Sequence, residues 1–244
     1  MAVIRSYKHD GVAVVILADP KRRNAISPTL STQLQAELKR IEQDEEVHAV
    51  IVTGEGSAFC SGADRNSLRF ADEDTLTAIY GAFEAVRGLT LPTIAAVNGP
   101  AIGAGFNLAL ACDIRVASHS ALFDSRFMQI PVHPGGGHTW MLAKEVGPQT
   151  AASMCLFGST LTGPQSAERG LSWTCVPDEE LMNTCFDLCQ SLASAPIELI
   201  RDVKQTLREC PNILNYEDAI AFELIRQLAS IGRPEYVEKL SERQ

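Results

Sequence analysis

Four short apolar runs separated by helical patterns constrain the fold of this chain more than any other feature. The runs cover residues 12–17, 49–53, 92–97 and 114–117. Continuous apolar runs of this length suit strands that are buried on both faces. Apolar residues recur at helical spacing between them, at 28–41, 75–86 and 105–111. Because alternating strands and helices require crossover connections, we predict an α/β fold with a largely parallel sheet.

The strand signals fade after about residue 140, and the remainder of the chain is predicted to be helical. Helices are expected at 141–157, 165–169, 179–192, 197–208 and 217–231. We divide the chain into a core, residues 1–195, and a C-terminal helical segment, residues 196–244. The apolar side chains of this segment, such as Ile225 and Leu228, are expected to pack on the core or on another subunit.

Charge and cysteine content narrow the class of protein. A formal net charge of -9 argues against a nucleic-acid binder, which needs basic surface to displace phosphate counterions. The seven cysteines have no zinc-ligand spacing, so we expect reduced thiols and no metal. No run reaches the ~18 apolar residues of a membrane span, and no signal peptide precedes the first strand. We therefore expect a cytoplasmic protein with no membrane span.

Two glycine-rich turns follow predicted buried strands and lead toward predicted helices. They are GSAFCSGADR at 56–65 and NGPAIGAGFN at 98–107. Free backbone amides at such a helix N-terminus favour negative charge. Each turn taken alone has a second interpretation, in which the glycines only allow a helix to pack closely on the sheet. Neither has the spacing of a nucleotide-binding loop.

Five segments together resemble one family. RRNAIS, GSAFCSGADR, AAVNGPAIGAGFNLALACDIRVAS, HPGGGHTWMLAKEVG and LTGPQSAERGLSWTCVP occur in the order and spacing of the crotonase (enoyl-CoA hydratase/isomerase) superfamily. They cover most of residues 10–210. The resemblance implies a ClpP/crotonase-like spiral of ββα units with a C-terminal helical trimerisation segment. It also implies a homotrimer or hexamer that binds acyl-CoA, with no cofactor beyond the CoA of the substrate.

The resemblance assigns a site to the two turns. Its two oxyanion-hole donors fall on the backbone N–H groups of Ala63 and Ala104, which would stabilise a thioester enolate. The residues expected to contact substrate are Arg23, Ala25, Ser61, Gly62, Asp64, Gly105, Asn107 and Phe127. Arg22 and Arg23 suit CoA phosphates, although a solvated loop pair is an equal alternative. For Asp64 we expect a structural role in holding its turn, and for Lys204 an exposed position on a helix rather than a CoA contact.

The chain departs from the family at both hydratase glutamates. The corresponding positions are Asn107 and Phe127, and neither side chain can transfer a proton at neutral pH. His133 and Asp124 are candidate replacements, with His138 also in the segment. The alternatives are a loop histidine at 133 and, for Asp124, pairing with Arg126 or a capping role.

Two functions therefore stay open at this point. The first is an acyl-CoA enzyme, of the lyase or isomerase type, that acts through an enolate and uses a different acid or base. The second is an acyl-CoA-binding protein with little or no catalysis, and a purely structural role is weaker. A covalent nucleophile at Cys60 or Ser61 is not expected, because no local His/Asp arrangement supports either.

Overall fold

Two sheets organise the chain, which a computed structural model describes over residues 2–241. In chain order the strands are β1 (Ile4–His9), β2 (Val12–Leu17), β3 (Ala49–Gly54), β4 (Thr93–Val97), β5 (Pro100–Ile102), β6 (Ile114–Ser118), β7 (Leu122–Asp124), β8 (Thr160–Thr162) and β9 (Thr174–Val176). The larger sheet has the order β1-β2-β3-β4-β6-β9, and the smaller has β5-β7-β8. Every pairing in the larger sheet is parallel except β1 with β2. The predicted α/β class and largely parallel sheet are confirmed.

Helices surround these sheets and make up most of the second half of the chain. They are α1 (Pro28–Glu42), α2 (Arg65–Leu68), α3 (Glu73–Gly88), α4 (Ala104–Ala111), α5 (His138–Leu156), α6 (Gly163–Glu168), α7 (Leu181–Cys189), α8 (Ile197–Glu209), α9 (Tyr216–Ile231) and α10 (Pro234–Ser241). The predicted start of α1 is confirmed, since Ser27 Oγ accepts the Leu30 amide at 3.2 Å ahead of Pro28. None of the helices in the described residues is both long enough and apolar enough to cross a membrane.

The four predicted strands correspond to β2, β3, β4 and β6, which are buried along most of their length. Five strands were not predicted. The first of these, β1, is an edge strand with a mostly exposed IRSYKH sequence that carries no clear alternation. The other four, β5, β7, β8 and β9, have three residues each, too few to show a period.

The C-terminal segment docks through a buried lysine. Lys204 on α8 is 5% exposed, donates to the Leu91 carbonyl and lies 2.6 Å from Asp113 Oδ2. The expectation of an exposed lysine at this position is therefore wrong, because α8 lays this side chain against the end of the larger sheet. In contrast, α9 has no buried residue. The division at residue 195 stays a prediction.

Candidate active site

The first glycine-rich turn is held in place by a buried asparagine. Asn24 is 0% exposed and adopts a left-handed backbone conformation. Its Nδ2 donates to the carbonyls of Ala58 at 2.8 Å and Phe59 at 3.2 Å, while its Oδ1 accepts the Asp19 amide at 3.0 Å. The side chain thus satisfies backbone groups that the turn would otherwise bury without partners.

The chain around residue 26 then aligns with the end of this turn and sets the direction of the Ala63 amide. Ile26 donates to the Gly62 carbonyl at 2.8 Å and accepts from the Asp64 amide at 2.9 Å. The Gly62 carbonyl and the Ala63 N–H belong to one trans peptide group, so they point in opposite directions. The Ala63 amide therefore faces away from Ile26.

The second turn presents the amide of Ala104 in a similar way. Gly103 has a positive φ of 53° and donates to the Asp124 carbonyl at 2.9 Å. Its own carbonyl accepts the Asn107 amide at 3.0 Å, which is the first hydrogen bond of α4. The Ala104 N–H, in the same peptide group as that carbonyl, points off the N-terminus of the helix.

The two turns pack directly against each other. Ile102 donates to the Cys60 carbonyl at 3.0 Å. A Cβ on Gly62 would lie 3.8 Å from the Ala104 nitrogen, and a Cβ on Gly105 would lie 2.1 Å from the Cys60 carbonyl oxygen. Only glycine permits this approach at residue 105. Within residues 2–241, the amides of Ala63 and Ala104 donate to no protein acceptor.

A buried chain of polar side chains runs beneath the second turn. His138 Nδ1 lies 2.6 Å from Asn107 Oδ1, and His138 Nε2 lies 2.8 Å from Ser125 Oγ. Asn107 Nδ2 donates to the Gly135 carbonyl at 2.9 Å. All three side chains are 1% exposed, and burial lowers the pKa of His138 to about 4.

The triple-glycine loop before α5 fits over two aromatic side chains of α3. A Cβ on Gly135 would lie 2.3 Å from the Tyr80 hydroxyl oxygen, and one on Gly136 would lie 2.4 Å from Phe83 Cζ. Phe127 packs against the imidazole of His138, with ring centroids 4.9 Å apart. The side chains of Phe127 and Asn107 thus lie next to the same histidine.

Comparison with known proteins identifies the family of this chain. The family model for enoyl-CoA hydratase/isomerase matches residues 7–240. A protein named probable enoyl-CoA hydratase, from Mycobacterium tuberculosis, is 43% identical over 94% of this chain and 93% of its own length. The chain belongs to the enoyl-CoA hydratase/isomerase family.

One further relative and one solved structure extend the comparison. The 1,2-epoxyphenylacetyl-CoA isomerase of Escherichia coli is 33% identical over 85% of this chain and 82% of its own length. The crystal structure of an enoyl-CoA hydratase from Bacillus anthracis superposes with a TM-score of 0.92 at 27% identity, covering 98% and 95% of the two chains. The predicted crotonase-like fold is confirmed, as is an acyl-CoA enzyme of the lyase or isomerase type.

The two residues predicted to transfer protons lie apart from the buried polar chain. His133 is exposed, and its Nδ1 is 2.7 Å from the Pro134 carbonyl oxygen. Asp124 is 2% exposed and forms an ion pair with Arg126, whose Nε lies 2.7 Å away. On β7, Asp124 points to the opposite face from its neighbour Phe123, which packs on Phe106 of α4. Both roles in proton transfer stay predictions.

The remaining predicted contacts surround the first turn. Arg22 and Arg23 are exposed, whereas Ala25 is buried, and Ser61 Oγ donates to the Arg22 carbonyl at 3.1 Å. Asp64 caps α2 by accepting the Ser67 amide at 3.1 Å, in agreement with a structural role.

Cys60, in the first turn, is unsuited to act as a nucleophile. Burial raises the pKa of its thiol to about 12, and its Sγ donates to the Asn24 carbonyl at 3.0 Å. Because the thiolate is the nucleophilic form, this cysteine is inert at neutral pH.

Sequence reasoning missed Ser125, Asn24 and Tyr80. The only signal for Asn24 was its place in the RRNAIS segment. Ser125 and Tyr80 acquire their positions from contacts with residues that are distant in the chain, so no local pattern marks them.

Proposed function

We propose that this chain is an enzyme that binds an acyl-CoA and polarises the thioester carbonyl with the backbone amides of Ala63 and Ala104. One observation carries the proposal. Two amides that have no acceptor among residues 2–241 lie on adjoining turns, with the Gly62 Cβ position only 3.8 Å from the Ala104 nitrogen. Two donors at one carbonyl oxygen stabilise the negative charge that develops when the thioester becomes an enolate.

The N-terminus of α4 supports the same role. The aligned peptide dipoles of a helix favour negative charge at this end, and Ala104 is the first residue of the helix. Glycines at 62 and 105 let the two turns pack closely, because a Cβ there would lie 2.8 Å from the Ile102 carbonyl oxygen and 2.1 Å from the Cys60 carbonyl oxygen. This packing keeps the two amides on adjoining turns, with Ser61 and Ala25 next to the first turn. The exposed guanidinium of Arg23 is available to the CoA phosphates.

In this proposal, a residue other than the two family glutamates transfers the proton. Asn107 and Phe127 stand at the two glutamate positions and carry no titratable group. Among the described residues His133 suits the task best, because a proton on Nδ1, donated to Pro134, leaves a lone pair on Nε2. Asp124 is the second candidate, since its buried Oδ1 has no hydrogen-bond partner within residues 2–241.

The proposal also covers the oligomeric state and the cellular location of the enzyme. Exposed apolar side chains along α9, including Ile225 and Leu228, suit burial between subunits of a homotrimer or hexamer. The seven cysteines are free thiols, which fits a cytoplasmic location. We propose no cofactor beyond the CoA of the substrate.

An Ala104→Pro variant tests the function with little disturbance of the fold. Proline is well accepted at the first position of a helix, and its ring Cδ takes the place of the amide proton. We expect turnover of the best substrate in a panel of enoyl-CoA and acyl-CoA thioesters to fall about 100- to 1000-fold. Glu73→Pro is the matched control, because it places proline at the exposed first position of α3, after an extended Asp72.

The same experiment distinguishes the alternative functions. Full activity in a folded Ala104→Pro variant would rule out the two-amide site. Calorimetric binding of acyl-CoA without turnover of any thioester would favour the non-catalytic binding protein instead. If the wild type shows no affinity for CoA or its thioesters, both functions are excluded.

A further inference from the structure

The polar chain under the second turn joins three segments that are distant in sequence. Ser125 follows β7, His138 is the first residue of α5, and Asn107 lies in the first turn of α4. The histidine occupies the middle position, with hydrogen bonds of 2.6 Å to Asn107 and 2.8 Å to Ser125. A ring with both nitrogens bonded inside a buried site has one fixed orientation.

The hydrogen bonds also fix the proton positions. Asn107 Nδ2 donates to the Gly135 carbonyl, which can only accept, so Oδ1 faces the histidine. His138 must then carry its proton on Nδ1, and Nε2 accepts from the Ser125 hydroxyl. No lone pair of the imidazole is left for a substrate proton. The burial that lowers the pKa of His138 to about 4 keeps the ring neutral near pH 7.

One end of this chain bonds to the peptide group that contains the Ala104 amide, and the other end lies beside a residue that bonds to the preceding peptide group. The Asn107 amide donates to the Gly103 carbonyl at 3.0 Å, so Asn107 holds the first turn of α4. At the other end, Gly103 donates to the carbonyl of Asp124, the residue next to Ser125. The orientation of Gly103 and Ala104 is therefore set from two sides, by Asn107, which His138 contacts, and by Asp124, which precedes the His138 partner Ser125.

We infer that His138 is a positioning residue that orients the Ala104 amide toward the acyl carbonyl through Asn107 and Ser125. The inference rests on the proposed function, because it assigns a task to the oxyanion site. It gives Asn107 a role as well. With both polar ends of its side chain committed, this asparagine supports the turn and the Gly135 carbonyl instead of contacting a substrate water.

Two variants of His138 separate the two bonds of the imidazole. In His138→Asn, the side-chain amide nitrogen lies near the position of Nδ1 and preserves the bond to Asn107. In His138→Gln, the longer side chain reaches the Nε2 position near Ser125 and leaves Asn107 Oδ1 without its donor. Burying an unpaired acceptor is unfavourable, so Asn107 and the turn should shift in the second variant only.

The readout is the enolate of bound acetoacetyl-CoA, whose near-ultraviolet absorbance reports its ionisation. We expect His138→Gln to lower the enolate/keto ratio about 10- to 100-fold, because small displacements of a donor have effects of this size. We expect the enolate/keto ratio of His138→Asn to stay within about threefold of the wild type, which is a smaller change than the one expected for His138→Gln. Affinity for CoA itself should be the same in all three proteins.

A purely structural role predicts a different pattern. It would lower the unfolding free energy of both variants and leave the enolate ratio of the folded protein unchanged, which would overturn the inference. If His138→Gln does not fold, Ser125→Ala decides, with an expected loss of at least about threefold in the ratio and an unchanged ratio as the contrary result. If the wild type itself fails to favour the bound enolate, the proposed function fails instead.

Discussion

Nδ1 of His138 lies 2.6 Å from Oδ1 of Asn107, and the two side chains are almost completely buried. Family resemblance places a glutamate where this asparagine stands. Asn107 and His138 form a neutral pair with no unsatisfied side-chain nitrogen or oxygen among the described residues. At position 107, where the resemblance would place a proton-transfer group, the side chain instead makes hydrogen bonds that support the second turn.

Stability should depend on pH through His138. Its folded pKa of about 4 lies below the ordinary value of about 6.5, so the unfolded chain binds the proton more readily. Stability is then complete above pH 6.5 and declines as pH falls toward 4. When the pH is lowered from 7.5 to 5.5, the free energy of unfolding, measured with urea, should fall by about 1 kcal/mol more for the wild type than for His138→Asn. Equal losses would show that His138 is not the group responsible.

Asn107→Asp should destabilise the protein. The aspartate keeps an acceptor for His138 but turns a second oxygen toward the Gly135 carbonyl, where Nδ2 now donates at 2.9 Å. We expect the free energy of unfolding at pH 7.5 to fall by about 1–3 kcal/mol. The added carboxylate should also raise the pKa of His138, which NMR titration measures.

Asn98→Asp is the matched control for this substitution. Asn98 also donates to a carbonyl, that of Gly56 at 3.0 Å, but at a partly exposed position. Asn98→Asp should therefore lower the free energy of unfolding by less than Asn107→Asp does. An equal fall in unfolding free energy for both variants would mean that burial of the Asn107–His138 pair does not add to the effect of Asn107→Asp.

Gly105→Ala should disturb the contact between the two turns. The new Cβ would lie 2.1 Å from the Cys60 carbonyl oxygen, so α4 has to move away from the first turn. We expect a loss of about 1–3 kcal/mol in unfolding free energy together with a loss of turnover. In Gly88→Ala, at the end of α3, the new methyl would meet no described atom within 4 Å apart from its chain neighbours and its own helix backbone. This variant should be neutral or stabilising by up to about 1 kcal/mol. Unaltered turnover in Gly105→Ala would contradict the close approach of the turns.

The C-terminal segment should determine assembly. Ile225 on α9 is 70% exposed in the single chain, and a charge there should be excluded from an apolar interface. Sedimentation of Ile225→Glu should therefore show a smaller species than the trimer or hexamer proposed for the wild type. Gln227→Glu adds the same charge to an exposed polar position of α9 and should sediment as the wild type does. An unchanged assembly for Ile225→Glu would remove α9 from the interface.

The four inner strands of the larger sheet were predictable because they are buried on both faces, whereas its edge strands β1 and β9 were not predicted. Val14, Val15 and Ile51 are each 0% exposed, and such positions leave continuous apolar runs in the sequence. The smaller sheet was not predictable, since each of its strands has three residues and is defined by pairing with residues far along the chain. The start of α1 followed from local capping chemistry, which needs only four consecutive residues.

The candidate site divides in the same way. The two turns were visible because glycine is required where backbones approach closely, as at Gly62 and Gly105. The polar chain was not visible, since Asn107, Ser125 and His138 meet only after three separate elements have packed. His138 attracted attention as a titratable group, but its neutral state follows from burial and its two hydrogen bonds follow from the packing of the separate elements.

The central claim, that the amides of Ala63 and Ala104 stabilise an enolate, is tested most directly by the acidity of a bound ligand. The pKa of acetoacetyl-CoA is measured from its enolate absorbance, free and bound to the wild type, Ala104→Pro and Glu73→Pro. We predict a lower pKa when the ligand is bound to the wild type or to Glu73→Pro, and a return toward the free value in Ala104→Pro. The same pKa for bound and free ligand in the wild type, or a lowered pKa that persists in Ala104→Pro, would contradict the account.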